Sequence, residues 1–186
     1  MGYLIFILPA VLLSLFAQYK VKATFKRYSQ VRSSRGYTAT DVAKTILQRN
    51  GLGGQVHINA IAGSLSDNYD PRNRTLNLSE TVYGSDSISA IGVAAHEVGH
   101  AIQHQQKYTP LELRHAIVPV TNFASSAAFP IILVGMFMNS LNLIMVGIVL
   151  FSAVVVFHLV TLPVEFNASH RAVVQLTEAG LVNNDE

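Results

Sequence analysis

The chain contains no cysteine, which removes disulfides and thiolate metal ligands from consideration and fits a reducing compartment. Charge is scarce too. Only 13% of the residues are charged against 50% hydrophobic, too apolar a balance for a soluble domain of 186 residues. No Lys/Arg stripe interleaved with aromatic residues occurs, so the formal charge of +2 calls for no nucleic-acid partner. Internal repeats and low-complexity runs are absent as well.

The apolar excess is concentrated in three places. Tyr3 to Tyr19, Ile117 to Met138 and Leu141 to Leu162 carry no charged side chain, and each is near the ~20 residues that a bilayer helix needs. Three transmembrane helices are therefore expected. The first has no basic stretch ahead of it and no A-x-A-like exit, and Lys20, Lys22, Lys26 and Arg27 follow it, so it reads as a retained anchor rather than a cleaved signal peptide. Twelve of the 13 Lys and Arg lie between Lys20 and Arg114, and Arg171 follows the third run. The positive-inside rule then puts residues 20–115 and 163–186 in the cytoplasm, with the N-terminus and the Asn139-Ser140 hinge outside. In that compartment the three N-x-S/T matches, at Asn73, Asn77 and Asn167, are silent.

Residues 20–37 are basic and polar and read as a connector at the membrane surface. Thr38 to Asn50 predicts an amphipathic helix, opened by a capping-box-like Thr38 and Asp41 and closed by Gly51. Short alternating segments follow at Val56 to Ile61, Leu65 to Tyr69 and Thr75 to Leu78, with a turn at Asp70 to Arg74. They predict a small antiparallel sheet, with Leu65 to Tyr69 as the candidate edge on which an extended peptide could pair.

His96-Glu97-Val98-Gly99-His100 carries the chemistry. Ser85-Asp86-Ser87 offers N-cap oxygens, and Ile88 to Gln106 contains no proline, so the motif falls within a helix. Histidines four residues apart share one helical face and can both reach one Zn²⁺, while the Glu between them can hold and deprotonate a water. A catalytic zinc needs a third protein ligand and an open position. His104 lies about 12 Å along the axis from His96 and cannot share the ion with both motif histidines. Gln106 stands where a metzincin places its third histidine. Glu112 and His115 follow Pro110 too closely to fold back, and His158 lies inside the third apolar run; His170 and Glu178 are further candidates. Glu165 is the strongest choice, because two membrane passes return the chain to the compartment that holds His96 and His100.

Several stretches between Asp67 and Ala172 together resemble a known family. They are Asp67-Asn68-Tyr69-Asp70-Pro71, Leu78-Ser79, Gly92 to Ala101, Tyr108 to Arg114 and Pro163-Val164-Glu165-Phe166-Asn167-Ala168-Ser169. The family is the bacterial membrane-bound neutral zinc metallopeptidases, often called YugP-like. The resemblance implies an integral, multi-pass inner-membrane peptidase that requires zinc, with His96 and His100 as ligands, Glu97 as catalytic residue and Glu165 as a gluzincin-like third ligand. A weaker resemblance extends to the heat-shock-type membrane zinc proteases and the CAAX prenyl proteases, which pair H-E-x-x-H with a later E-x-x-x-D. In this chain Ser169 occupies the Asp position. Such proteins also usually continue into another apolar helix, whereas this chain stops at Asn184-Asp185-Glu186.

The expected architecture is thus an α+β membrane protein with three transmembrane helices and a cytoplasmic zincin-like domain. Its segments are an anchor over 1–19, a zinc-peptidase domain over 20–115, a membrane hairpin over 116–162 and a ligand-bearing cytoplasmic helix over 163–186. The expected activity is a zinc metalloendopeptidase acting on polypeptides, among them membrane or misfolded proteins. Tyr69, Ser169, His170 and Arg171 are candidates for oxyanion stabilisation or for supporting the metal ligands. The expected partners are the substrate and the lipid bilayer, with a homo-oligomer or a membrane partner protein compatible with both. Two alternatives remain. An intramembrane protease would want an Asp in another membrane helix, and no Asp lies between Asp86 and Asp185. A non-catalytic zinc-containing membrane adaptor or chaperone would have no need of Glu97 as a base.

Overall fold

A computed structural model describes residues 3–183, with side chains from residue 8 onward. Met1-Gly2 and Asn184-Asp185-Glu186 lie outside the described residues. So do the first side chains of the expected anchor. The elements in chain order are α1 (Tyr3–Tyr28), α2 (Ala39–Arg49), β1 (His57–Ile61), β2 (Asn68–Asp70), β3 (Thr75–Ser79), α3 (Glu80–Tyr83), α4 (Ile88–Gln105), α5 (Thr109–Phe137) and α6 (Leu141–Glu178).

The chain divides into two compact units, the first formed by Met1–Val98 with Ala172–Glu186 and the second by Gly99–Arg171, so the division falls inside α4. In the first unit α2 follows its capping signals closely. Thr38 Oγ1 accepts the Asp41 backbone N–H and Asp41 accepts the Thr38 backbone N–H, each at 3.2 Å. At the other end Gly51, at φ +72°, lets Leu52 donate to the Leu47 carbonyl and close the helix. Val42, Ala43, Ile46 and Leu47 are buried, as the i, i+3, i+4 pattern requires of an apolar face.

The sheet corrects the sequence reading. Its order is β1-β3-β2, and only β2 pairs antiparallel to β3, while β1 runs parallel to it. Alternation of side chains reports that a strand has two faces but carries no information on which way its neighbour runs. The edge expected at Leu65 to Tyr69 becomes β2, shifted toward Asp70. Leu65 has φ +56° and stays outside the strand, while the Asp67 carboxylate accepts the Ser79 backbone N–H at 2.7 Å and the Ser79 hydroxyl at 3.0 Å. The turn at Asp70 forms as expected, with Asp70 accepting from the Arg72 backbone and the Asn73 amide.

The expected connector is a correction too. Residues 20–28 continue α1 without a break, since no proline or glycine interrupts them. The chain then passes α4's start, where the Ser33 N–H donates to the Asp86 carbonyl and Arg32 pairs with Asp86 at 3.1 Å. Ser87 caps α4 by accepting the Ala90 N–H at 3.3 Å.

In the second unit α5 and α6 form a hairpin. Among the described residues these two helices are long and apolar enough to cross a membrane. Asn139 adopts φ +50° at the hinge, and Ser140 donates to the Gly135 carbonyl at 2.8 Å, so α5 ends in the left-handed cap that Asn tolerates. The two helices pack through small residues: a Cβ on Gly135 would stand 2.8 Å from the Ile144 nitrogen, and one on Gly147 would stand 3.0 Å from the Ala128 carbonyl oxygen. Pro163 does not divide the membrane run from the expected terminal helix, because α6 is continuous through it.

The Asp41 cap predicts a pH dependence. The hydrogen bonds from Thr38, with a smaller pull from Lys44, hold the Asp41 carboxyl below its ordinary value. A depressed carboxylate pKa contributes stability above the unfolded-state value of about 3.9, lost as pH falls through the folded one. Asp41→Asn should therefore lower stability by a few tenths to about 1 kcal/mol at neutral pH, the charge being exposed and screened. In thermal unfolding the difference between the two proteins should close on acidification below about pH 4.

Candidate metal centre

Helix α4 runs without interruption through His96, Glu97 and His100, and the four-residue spacing sets the two imidazoles one above the other. Across from them is α6. His100 Nε2 lies 3.6 Å from Glu165 Oε2, beyond hydrogen-bond range but close to the roughly 3.3 Å that separates two ligand atoms on one tetrahedral zinc. One ligand atom each from His96, His100 and Glu165 lies within 4.8 Å of the others. Two imidazoles and a carboxylate, brought together by the fold, suit zinc and leave a fourth position for water. The His100 side chain is 12% exposed and that of Glu165 42%, so solvent reaches the carboxylate side.

The remaining candidates do not join this group. Among the described residues, His104, Glu112, His115, His158, His170 and Glu178 belong to no such cluster. Ser169 follows Glu165 by one turn on the same face of α6, and both Ser169 and His170 are exposed. Tyr69 lies on β2 opposite Leu76. Burial holds its phenol above the usual value while Arg74 pulls the other way, so it is neutral at physiological pH. Arg171 turns instead toward Asn167 and Gln106, donating at 2.7 Å to each.

Three residues that sequence reasoning passed over build the centre. A Cβ on Gly99 would stand 2.6 Å from the Ala168 carbonyl oxygen, so the absence of a side chain lets α6 approach α4 at the level of His100. A glycine inside a helix is the signal that could have revealed it. Gln103 is fully buried and bonds His100 Nδ1 at 3.0 Å, the Val164 carbonyl at 2.9 Å and Asn167 Oδ1 at 2.9 Å. Asn167 completes the set. No local pattern distinguishes these two amides from surface residues.

In the first unit an apolar groove of about 990 Å³ ends on His96 and Glu97. Phe16, Val21 and Phe25 of α1 form one wall and Ile88, Gly92 and Val93 of α4 the other, while Leu65 and Asp67 ahead of β2 also face it.

Residues 3–186 match a family described as "Putative neutral zinc metallopeptidase". The chain is also 51% identical over 186 residues, 100% of this chain and 82% of the relative, to the "Putative membrane protease YugP" of Bacillus subtilis (strain 168). No solved structure matches the chain.

The glycine contact generates a paired test. Gly99→Ala must push against the Ala168 backbone, an overpacking cost of about 1–3 kcal/mol, and should reduce zinc retention measured by metal analysis. Gly92→Ala, whose Cβ would meet nothing within 4 Å, should keep its zinc and gain up to ~1 kcal/mol from helix propensity.

Proposed function

We propose, for a chain that belongs to the neutral zinc metallopeptidase family, that it is an integral membrane endopeptidase hydrolysing polypeptides at the cytoplasmic face of the bacterial inner membrane. The observation that carries this reading is the convergence of His96, His100 and Glu165, two elements apart in the chain, beside a glutamate that is not among them. In this reading the three residues hold the zinc and Glu97 does the proton chemistry. The chemistry zinc supplies when bound is Lewis acidity, which polarises a carbonyl and acidifies water. Glu97 takes the proton of the attacking water and hands it to the leaving amine, so one carboxylate serves as base and then as acid.

The groove beside Glu97 supports an apolar polypeptide as substrate, since a chain reaching Glu97 from that side passes Phe16, Phe25 and Val93. The outer strand β2 is the proposed pairing edge for its extended backbone. Tyr69 on that strand, and Ser169 and His170 beyond Glu165, remain the proposed groups for the oxyanion or for supporting the ligands.

The membrane assignment takes α1, α5 and α6 as spans, with the active site inside. Helix α6 has 38 residues and is about 57 Å long, against a hydrocarbon core of about 30 Å. Glu165 is about 36 Å along it from Leu141, far enough to clear the core when the hinge sits at the outer interface. The charge distribution of the loops supports that orientation. A reporter inserted at Asn139-Ser140 should accordingly be found outside and one fused after Glu186 in the cytoplasm. An external C-terminus would separate Glu165 from the zinc helix and defeat the site.

Glu97→Gln tests the enzyme directly, because it keeps size and hydrogen-bonding capacity while removing basicity. With matched zinc content in detergent, folding should survive and hydrolysis of an unstructured polypeptide should fall by at least ~10². Unchanged cleavage would assign the activity to another source and leave a zinc-containing adaptor.

A further inference from the structure

We infer that Gln103 is the positioning residue for His100, fixing the imidazole as the Nδ1–H tautomer and registering it against the turn of α6 that carries Glu165. The inference deepens the zinc reading of the same site and rests on it. The Val164 carbonyl oxygen, 2.9 Å from Gln103 Nε2, accepts and never donates, so the nitrogen end of the Gln103 amide must face it. The oxygen end therefore faces His100 Nδ1 at 3.0 Å. An amide oxygen accepts, so Nδ1 carries the proton and Nε2, the atom turned to Glu165 at 3.6 Å, presents its lone pair.

The orientation is over-determined. Gln103 Nε2 also donates to Asn167 Oδ1 at 2.9 Å, and Asn167 is in turn oriented by Arg171 Nε, a group that only donates, at 2.7 Å. Arg171 reaches back to α4 through Gln106 Oε1 at 2.7 Å. Gln103 is 0% exposed, so no bulk water competes for its hydrogen bonds. Because Val164 immediately precedes Glu165, one side chain holds both a ligand imidazole and the backbone beside a ligand carboxylate. With serine at 169, the E-x-x-x-D carboxylate is missing from this chain; a buried amide orients His100.

The test separates the two ends of the amide. Zinc affinity of the purified full-length chain in detergent is measured by chelator competition for wild type, Gln103→Leu and Gln103→Glu, with thermal unfolding of the metal-free proteins alongside. Gln103→Leu removes the acceptor and should weaken zinc binding by about 10–100-fold. Gln103→Glu keeps an acceptor for Nδ1–H but loses the donor to Val164 and Asn167, so it should bind zinc more weakly than wild type and clearly more tightly than Gln103→Leu. Affinity unchanged in Gln103→Leu, or equally poor in both variants, overturns the inference and leaves a packing amide. Where Gln103→Leu does not fold, ¹⁵N-histidine NMR of the wild-type protein decides: His100 should be protonated at Nδ1 in the metal-free and zinc-loaded chain, and protonation at Nε2 in the metal-free chain contradicts the relay. Failure of the wild type to bind zinc, with His100 still in the Nδ1–H form, would instead remove the metal reading and spare the hydrogen-bond network.

Discussion

Gly99 and the Ala168 carbonyl set the spacing of α4 and α6, because a Cβ at residue 99 would come within 2.6 Å of that oxygen. Real Cβ atoms do not stand so close to backbone, so any other residue would force the helices apart. The position matters as much as the distance. Gly99 directly precedes His100, and Ala168 is nearly one turn beyond Glu165, so the approach occurs at the level where imidazole and carboxylate face each other. Val164 and Ala168 are fully buried beside it, and the Gln103 amide ties the same turn to α4. Steric permission comes from a missing side chain and specificity from a buried amide.

The apolar hairpin has a corresponding role. Tight packing of α5 on α6 at Gly135 and Gly147 makes the return of the chain from Asn139 to Glu165 a stiff connection, so that a residue 65 positions after His100 reaches its side chain. A membrane suits this arrangement, since helices satisfy their backbone polar groups internally except for the carbonyls one turn before Pro119, Pro130 and Pro163. The cost of the arrangement in sequence is the scarcity of charge with which the chain announces itself.

What the sequence makes legible is what one helix or one compartment encodes. The pairing of His96 with His100 follows from helical periodicity, and the α2 caps at Thr38 and Gly51 follow from local side-chain chemistry. Glu165, which the fold brings to 3.6 Å from His100, is expected from the sequence only through the two apolar runs that separate it from the motif. The direction of β1 against β3 is not, because period-2 alternation is the same in parallel and antiparallel pairs. Gln103 and Asn167 are invisible for another reason: an amide acquires a role only from the partners that tertiary structure supplies. The continuation of α1 through Tyr28 shows a further limit, since a basic stretch after an apolar run does not mark a helix end.

The central claim is that α4 and α6 together hold one zinc through two imidazole nitrogens and one carboxylate oxygen. Zinc-edge X-ray absorption of the purified protein in detergent tests it most directly. The expected result is about one zinc per chain with light-atom ligands near 2.0–2.1 Å and the outer-shell scattering of two imidazoles. A protein that retains no zinc after purification in zinc-replete buffer, or one whose zinc shows three imidazoles, would contradict it.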